Sequence, residues 1–172
     1  MSMKRVVSIL SLPSLLCGLL VTACEDDARD TTAGGAGAAA MPMAAATIAP
    51  FGTGNTIGGN VSFMQIGADV SITVALTNCP DGPHGVHIHQ GTSCTDAMAQ
   101  GDHWDMTRGE GIPDVMCMAG TGTSSVTRTP VDPTKAWSVG GAPTTDVIGH
   151  AFVVHNPGMP APRIGCGVIA AK

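Results

Sequence analysis

The chain has 172 residues, only 12% of them charged, and a formal net charge of −5 at neutral pH. From Cys24 onward, six lysine and arginine residues face 13 acidic residues, and the resulting net charge of −7 argues against nucleic acid as a partner. The length suits a single domain, and 23 glycines and 12 prolines with no tyrosine favour short strands and turns. We expect one mostly β domain.

The N-terminal segment is predicted to export the chain. Lys4 and Arg5 precede an apolar run over 6–23, which is the layout of a secretion signal, although its length alone would also allow a membrane span. The ending Val-Thr-Ala-Cys resembles the lipobox of bacterial lipoproteins. Residues 1–23 are therefore predicted to be a lipoprotein signal peptide, with Cys24 as the lipid-modified first residue.

A flexible tether is predicted to follow the anchor. Residues 24–43 are acidic at first and then consist largely of Gly, Ala, Met and Thr, which offer too few large side chains to offset the entropy of ordering them. The folded domain is expected to span 44–172.

Period-two alternation predicts the strands of this domain. The segments 59–65 and 70–76 alternate apolar and polar residues across a short link, so they are expected to form consecutive antiparallel strands. The segments 122–128, 147–155 and 166–170 carry further strand patterns, and Trp137 is interpreted as a packing residue of the core or its rim. Residues 91–122 show no period, and a loop of that length is usually functional.

The histidines are the main chemical signal. In an extended strand His87 and His89 point to the same face with Cα atoms about 7 Å apart, and Val86 and Ile88 point to the other. Two imidazoles on one face can share a metal ion, although an isolated His-x-His is more often a pair of surface histidines.

Four cysteines lie in the domain: Cys79, Cys94, Cys117 and Cys166. An exported protein meets an oxidising compartment, so two disulfides are expected, and the spacing alone leaves three possible pairings.

Five separated motifs together resemble the Cu/Zn superoxide dismutase family. They are Gly-Pro-His-Gly-Val-His-Ile-His at 82–89, Gly91 with Cys94, His103, the segment 149–155, and Pro-Arg-Ile-Gly-Cys-Gly-Val-Ile at 162–169. The resemblance covers about residues 45–172 and implies an all-β fold, a Greek-key barrel or sandwich.

The resemblance implies a copper site whose ligands are His87, His89, His103 and His155. An all-imidazole set without thiolate suits Cu(II), which also leads the affinity order of first-row divalent ions. Zinc is the alternative metal, because a histidine site with an open position could also activate water for hydrolysis.

Further residues take roles from the same resemblance. Arg163 is similar to the family's active-site arginine, which attracts the superoxide anion, although a lone arginine is usually a solvated surface residue. Cys94 and Cys166 resemble the intrasubunit disulfide, and Cys79 and Cys117 are left to form a second bridge.

Two other histidines are assigned structural roles. His84 matches a family histidine that hydrogen-bonds backbone rather than metal. His150 matches no family ligand and is interpreted as a rim or packing residue.

Two departures from the family pattern lead to predictions. The chain has no histidine between His103 and His150, so zinc is predicted to be absent. Without zinc, Glu110 or Asp114 is expected to accept a hydrogen bond from the second ring nitrogen of His103. Only seven residues separate His155 from Arg163, where the family usually has a long charged loop that steers the anion.

The predicted function is copper-dependent disproportionation of superoxide. Arg163 would hold the anion, and His103 or solvent would supply a proton. The protein would be lipid-anchored in a bacterial cell envelope, in the periplasm or at the outer membrane. The alternatives are a non-enzymatic copper-binding envelope lipoprotein and, less favoured, a zinc hydrolase.

Overall fold

The computed structural model describes residues 40–104, 111–129, 136–157 and 161–172, which belong to one compact unit, Ala38–Lys172. The predicted signal peptide, the lipidation site Cys24 and most of the tether lie outside the described residues. Within the described ranges, no helix is long and apolar enough to cross a membrane.

The described part of the chain is almost entirely β. It contains strands β1 (Met43–Pro50), β2 (Gly58–Ile66), β3 (Asp69–Thr77), β4 (Gly82–His84), β5 (Val86–His89), β6 (Val115–Cys117), β7 (Thr121–Arg128), β8 (Ala151–His155), β9 (Arg163–Val168) and β10 (Ala170–Ala171), and one short helix α1 (Ala97–Gln100).

The strands form one curled antiparallel sheet and a small separate one. The large sheet has the order β5-β8-β9-β1-β2-β3-β7, with β10 also pairing with β1, and β4 pairs with β6 alone. β1 pairs with β2 over most of its length and with β9 at its last two residues, so it turns the sheet back on itself. This half-barrel confirms the predicted all-β fold class.

The core fills the inside of the curl. The large apolar residues of β3 lie on one face and are at most 2% exposed: Val70, Ile72, Val74 and Leu76. Phe63 of β2 meets Phe152 of β8 edge to face, with ring centroids 6.2 Å apart. Trp137 is buried in the same cluster, in agreement with a packing role.

β8 is buried on both of its faces. Phe152 and Val154 face the main core, whereas Ala151 and Val153 form a second cluster with Cys166. Cys94, in the segment before the short helix, packs against this second cluster.

The predicted histidine strand is divided in the structure. Gly85 separates β4 from β5, and its carbonyl oxygen accepts a hydrogen bond from the backbone N–H of His155 at 2.8 Å. β4 lies outside the large sheet and pairs with β6, a three-residue strand that the unpatterned segment 91–122 did not indicate.

Candidate metal centre

Two paired strands and one loop position three of the predicted ligands. β5 carries His89 and pairs with β8, which ends at His155. Val86 and Ile88 are fully buried in the core, so the histidines of β5 project from the opposite face, as strand alternation predicts.

His103 arrives on the loop that follows α1. This loop returns alongside β5, where the N–H of Trp104 donates to the carbonyl of Ile88 at 2.7 Å. His103 then forms an isolated antiparallel bridge with His89, and the two imidazole centroids are 4.7 Å apart. Backbone pairing thus holds this loop residue beside β5.

Nitrogens of three histidines converge on one point. The ligand atoms of His89, His103 and His155 all lie within 4.8 Å of one another. Nε2 of His155 is 3.2 Å from Nε2 of His89 and 3.3 Å from Nε2 of His103. Two nitrogens at this separation, each about 2 Å from a shared ion, subtend an angle of roughly 105° at the ion, close to tetrahedral. The spacing therefore fits one metal ion.

Backbone carbonyls fix the tautomers of two of these rings. Nδ1 of His89 donates to the carbonyl oxygen of Gly101 at 2.9 Å, and Nδ1 of His155 donates to that of Ala161 at 3.1 Å. Because a carbonyl oxygen can only accept, each ring carries a hydrogen on Nδ1. The two neutral rings then direct Nε2 lone pairs at each other, an arrangement that a cation between them would stabilise.

Burial keeps both rings neutral. Desolvation lowers the pKa of His89 from 6.5 to about 3 and the pKa of His155 to about 4, and the neighbouring His103 ring and Arg163 guanidinium act in the same direction. The hydrogen bonds to Gly101 and Ala161 oppose the shifts without cancelling them. At neutral pH both rings are in the form that binds metal.

Arg163, the first residue of β9, holds its guanidinium against α1. Nη1 donates to the carbonyl of Ala97 at 2.6 Å and to Oε1 of Gln100 at 3.0 Å, and Nη2 donates to the carbonyl of Gly101 at 2.8 Å. The carbonyl of Gly101 therefore accepts from both Arg163 and His89. This shared backbone oxygen holds the Arg163 guanidinium beside the histidine cluster.

Both disulfides have the predicted pairings. Cys94–Cys166 joins the loop before α1 to β9, three residues after Arg163. The covalent bond thus holds the arginine strand against the loop that hydrogen-bonds the guanidinium. Cys79–Cys117 joins β6 to the segment just before β4.

Comparison with known proteins agrees with this geometry. A family model described as copper/zinc superoxide dismutase (SODC) matches residues 57–169, well over half of the chain. The chain belongs to the copper/zinc superoxide dismutase family. A protein named superoxide dismutase [Cu-Zn] from Legionella pneumophila is 50% identical over 36 residues, which are 21% of this chain and 22% of that relative. The chain thus spans about a fifth of the length of this curated relative.

His87 lies beside the cluster of this superoxide dismutase family member but is oriented differently. Its ring is stacked on that of His103, with centroids 4.1 Å apart and planes 17° apart. An imidazole nitrogen binds metal in the plane of its ring, so two parallel rings at this separation do not aim at one ion. His87 would have to turn to become the fourth ligand, and that role stays a prediction.

His84 and His150 pack around the cluster. The two nitrogens of His84, which is fully buried, lie 3.0 Å from the carbonyl oxygen of His155 and 2.8 Å from that of Pro80. His150 stacks on Trp104 at 4.0 Å, and its Nδ1 donates to the carbonyl of His89 at 2.9 Å. These contacts agree with the structural roles predicted for both.

One candidate partner of His103 can be placed. Oδ1 of Asp114 lies 3.9 Å, and Nε2 of His87 lies 3.3 Å, from the point where a Cβ on Gly85 would sit. Asp114 is therefore at the edge of the histidine cluster, whereas Glu110 lies outside the described residues. A bond from either carboxylate to His103 stays a prediction.

Sequence reasoning missed several residues of the site. The carbonyls of Gly101 and Ala161 orient two ligand rings, but a backbone carbonyl leaves no mark on the sequence. Trp104 and Gln100 gave no periodic signal. The only local sign of α1 is Asp96, which caps it by accepting from the N–H of Ala99 at 2.8 Å.

Proposed function

We propose that this protein is a copper-dependent superoxide dismutase. One observation carries the proposal: Nε2 of His155 lies 3.2 Å from Nε2 of His89 and 3.3 Å from Nε2 of His103, and the carbonyl of Gly101 accepts hydrogen bonds from both His89 and the guanidinium of Arg163. A metal ion beside a fixed cation is suited to a small anion that exchanges electrons.

Family membership favours copper over zinc as the resident metal. A near-tetrahedral set of nitrogens would accept either ion, and the all-imidazole donor set also suits either. Bound copper would supply the redox chemistry by accepting one electron and returning it. A copper-only site is proposed because the sequence places no histidine between His103 and His150.

The reaction consumes two superoxide anions and two protons. One superoxide gives up an electron and leaves as dioxygen, and the second takes up that electron with two protons and leaves as hydrogen peroxide. Arg163 would hold each anion by charge and hydrogen bonding. His103, the least buried member of the cluster, or solvent would deliver a proton.

The proposal places the enzyme in the bacterial cell envelope. A signal peptide over 1–23 and lipidation of Cys24 would anchor the domain through a 24–43 tether. Expression of the full chain with Cys24→Ser tests this: the variant should leave the membrane fraction, and retention there would contradict a lipid anchor.

Metal content and turnover test the function together. The purified full chain is expected to bind about one copper and to consume superoxide in proportion to bound copper. His155→Ala removes one of the convergent nitrogens and should abolish both copper retention and superoxide consumption. Met118→Gln, which changes a side chain that is 71% exposed, should leave both unchanged.

The alternatives predict other outcomes. A copper-binding lipoprotein without enzymatic activity would retain copper through His155 and leave superoxide untouched. A zinc hydrolase would purify with zinc and give no copper electron-resonance signal.

A further inference from the structure

Gln100 is a buried amide with only part of its hydrogen-bonding capacity used. Its side chain has no exposed surface, and Oε1 accepts from Nη1 of Arg163 at 3.0 Å. Nε2 is buried and has no hydrogen-bond partner among the described residues. Exchanging the two ends of the amide cannot repair this, because Arg163 can only donate and therefore requires the oxygen on its side.

Such a group is unfavourable for the fold. A buried polar group without a partner costs about 1–3 kcal/mol, and an apolar side chain of similar shape would avoid that cost. A buried unsatisfied group in a native structure calls for an explanation, and a functional role is one such explanation. The one contact that Gln100 does make points to that reason, because its partner is the guanidinium.

We propose that Gln100 is a positioning residue that orients Arg163 for anion binding. The guanidinium has three hydrogen bonds in the described structure, two to the carbonyls of Ala97 and Gly101 and one to Gln100. Only the bond to Gln100 is made by a side chain, so it is the one that a substitution can remove. This inference rests on the proposed function of the site.

The backbone holds Gln100 in place independently of Arg163. Its N–H donates to the carbonyl of Asp96 at 3.1 Å, and its own carbonyl accepts from the N–H of Gly91 at 2.8 Å. A Cβ on Gly91 would collide with the carbonyl oxygen of Ala99, so the close approach of the segment after β5 to α1 requires glycine there. Backbone hydrogen bonds thus fix the position from which the Gln100 side chain contacts the guanidinium.

The contact between Gln100 and Arg163 occurs in a chain with a short segment before the arginine. Only seven residues lie between His155 and Arg163, where the family usually has a long charged loop. In the described residues the guanidinium is restrained by acceptors of α1 and Gly101, and the Gln100 side chain is one of them.

Gln100→Met tests the proposal. The variant keeps the length of the side chain but removes the acceptor. We expect stability in urea to stay equal or to rise, while the side-chain ¹H–¹⁵N signals of Arg163 in the metal-free full chain broaden or exchange faster with solvent. Azide, used as an anionic probe of the copper-loaded protein, should bind about three- to tenfold more weakly.

Gln100→Glu separates orientation from charge. A carboxylate keeps the acceptor, so the Arg163 signals should stay sharp, but it pairs with the positive charge and should weaken azide binding. The proposal predicts this divergence between the two variants.

Gln65→Met is the matched control. The amide of Gln65 is fully used, because Nε2 donates to the carbonyls of Gly67 and Asp69 and Oε1 accepts from the N–H of Val139. The same substitution there should lower stability and leave Arg163 signals and azide affinity unchanged.

The outcomes are distinguishable. Wild-type Arg163 signals and azide affinity in Gln100→Met would overturn the positioning role. If those two readouts change as expected while the wild-type protein consumes no superoxide, the positioning role stands and the proposed enzymatic function fails.

Discussion

At the scale of single residues, the position of one hydrogen on each imidazole decides what the centre can bind. His89 and His155 each donate from Nδ1 to a backbone carbonyl, so both present Nε2 lone pairs to the same space. Such an arrangement is stable only while the rings are neutral, because protonation of Nε2 would place two positive charges face to face. The centre is consequently sensitive to acid.

We expect the metal-free protein to lose stability on mild acidification. The unfolded chain has histidine pKa values near 6.5, whereas burial lowers the pKa to about 3 in His89 and about 4 in His155. Between these values the unfolded state binds more protons, so the free energy of unfolding falls as pH falls from about 6.5 towards about 4. The measurement is the urea midpoint at pH 7 and pH 5.

The control for this experiment is the double variant His89→Gln, His155→Gln. It lacks the two buried titrating groups, so its midpoint should change less between the two pH values. An equal change in both proteins would show that other groups cause the loss.

A second residue-scale prediction concerns Gly85. A methyl group there would lie 3.3 Å from Nε2 of His87, which is tight enough to displace the ring. If His87 has to turn from this orientation to become a ligand, Gly85→Ala disfavours the unturned ring and should strengthen copper affinity about fivefold, corresponding to about 1 kcal/mol of crowding relieved on binding. Copper titration monitors this.

Gly111→Ala is the matched control, because a Cβ at that position meets nothing within 4 Å. Its copper affinity should equal that of the wild type. An unchanged affinity in Gly85→Ala as well would argue against His87 as a ligand.

At the scale of elements, the two disulfides close loops of different length and act on different parts of the fold. Their sequence separations are 38 and 72 residues, and the chain-entropy relation gives about 4 kcal/mol for each. Replacing either pair by serine should therefore lower the free energy of unfolding by a similar amount.

Removal of the two disulfides should affect Arg163 differently. Removal of Cys94–Cys166 frees the loop before α1 from β9 and should loosen Arg163, with faster solvent exchange of its guanidinium. Removal of Cys79–Cys117 should leave that exchange near the wild-type rate. Equal exchange in the two variants would show that hydrogen bonds alone hold the arginine.

Elements with regular patterns could be predicted from the sequence, and irregular ones could not. β3 has four alternating buried residues, so both its existence and its inner face were predictable. β6 has only three residues and pairs with β4, which lies outside the large sheet. The break between β4 and β5 falls at Gly85, which accepts a hydrogen bond from His155, a residue distant in sequence.

The same distinction applies to the site. The spacing of His87 and His89 predicted a shared face, and the family resemblance supplied His103, His155, Arg163 and one disulfide. The carbonyls that fix the tautomers, and the contact of Gln100 with Arg163, depend on how loops fold back. Sequence periodicity does not encode such contacts.

At the scale of the whole molecule, the negative net charge of the protein repels the proposed substrate, the superoxide anion. The chain carries a net charge of −5, and the part from Cys24 onward carries −7, so an approaching anion meets long-range repulsion. Attraction has to come from Arg163 and the metal at short range. The balance between these two terms determines how the rate depends on salt.

We expect the rate of superoxide consumption to change less than about threefold between about 10 mM and 150 mM ionic strength, where the Debye length shortens from about 30 to 8 Å. Salt screens the repulsion by the whole molecule and the attraction by Arg163 together, and the two effects oppose each other. Arg163→Gln removes the local attraction, so its slower rate should rise with salt as the remaining repulsion is screened. A wild-type rate that falls tenfold over this range would instead mean that positive charge steers the anion from a distance, which is hard to reconcile with the acidic composition of this chain.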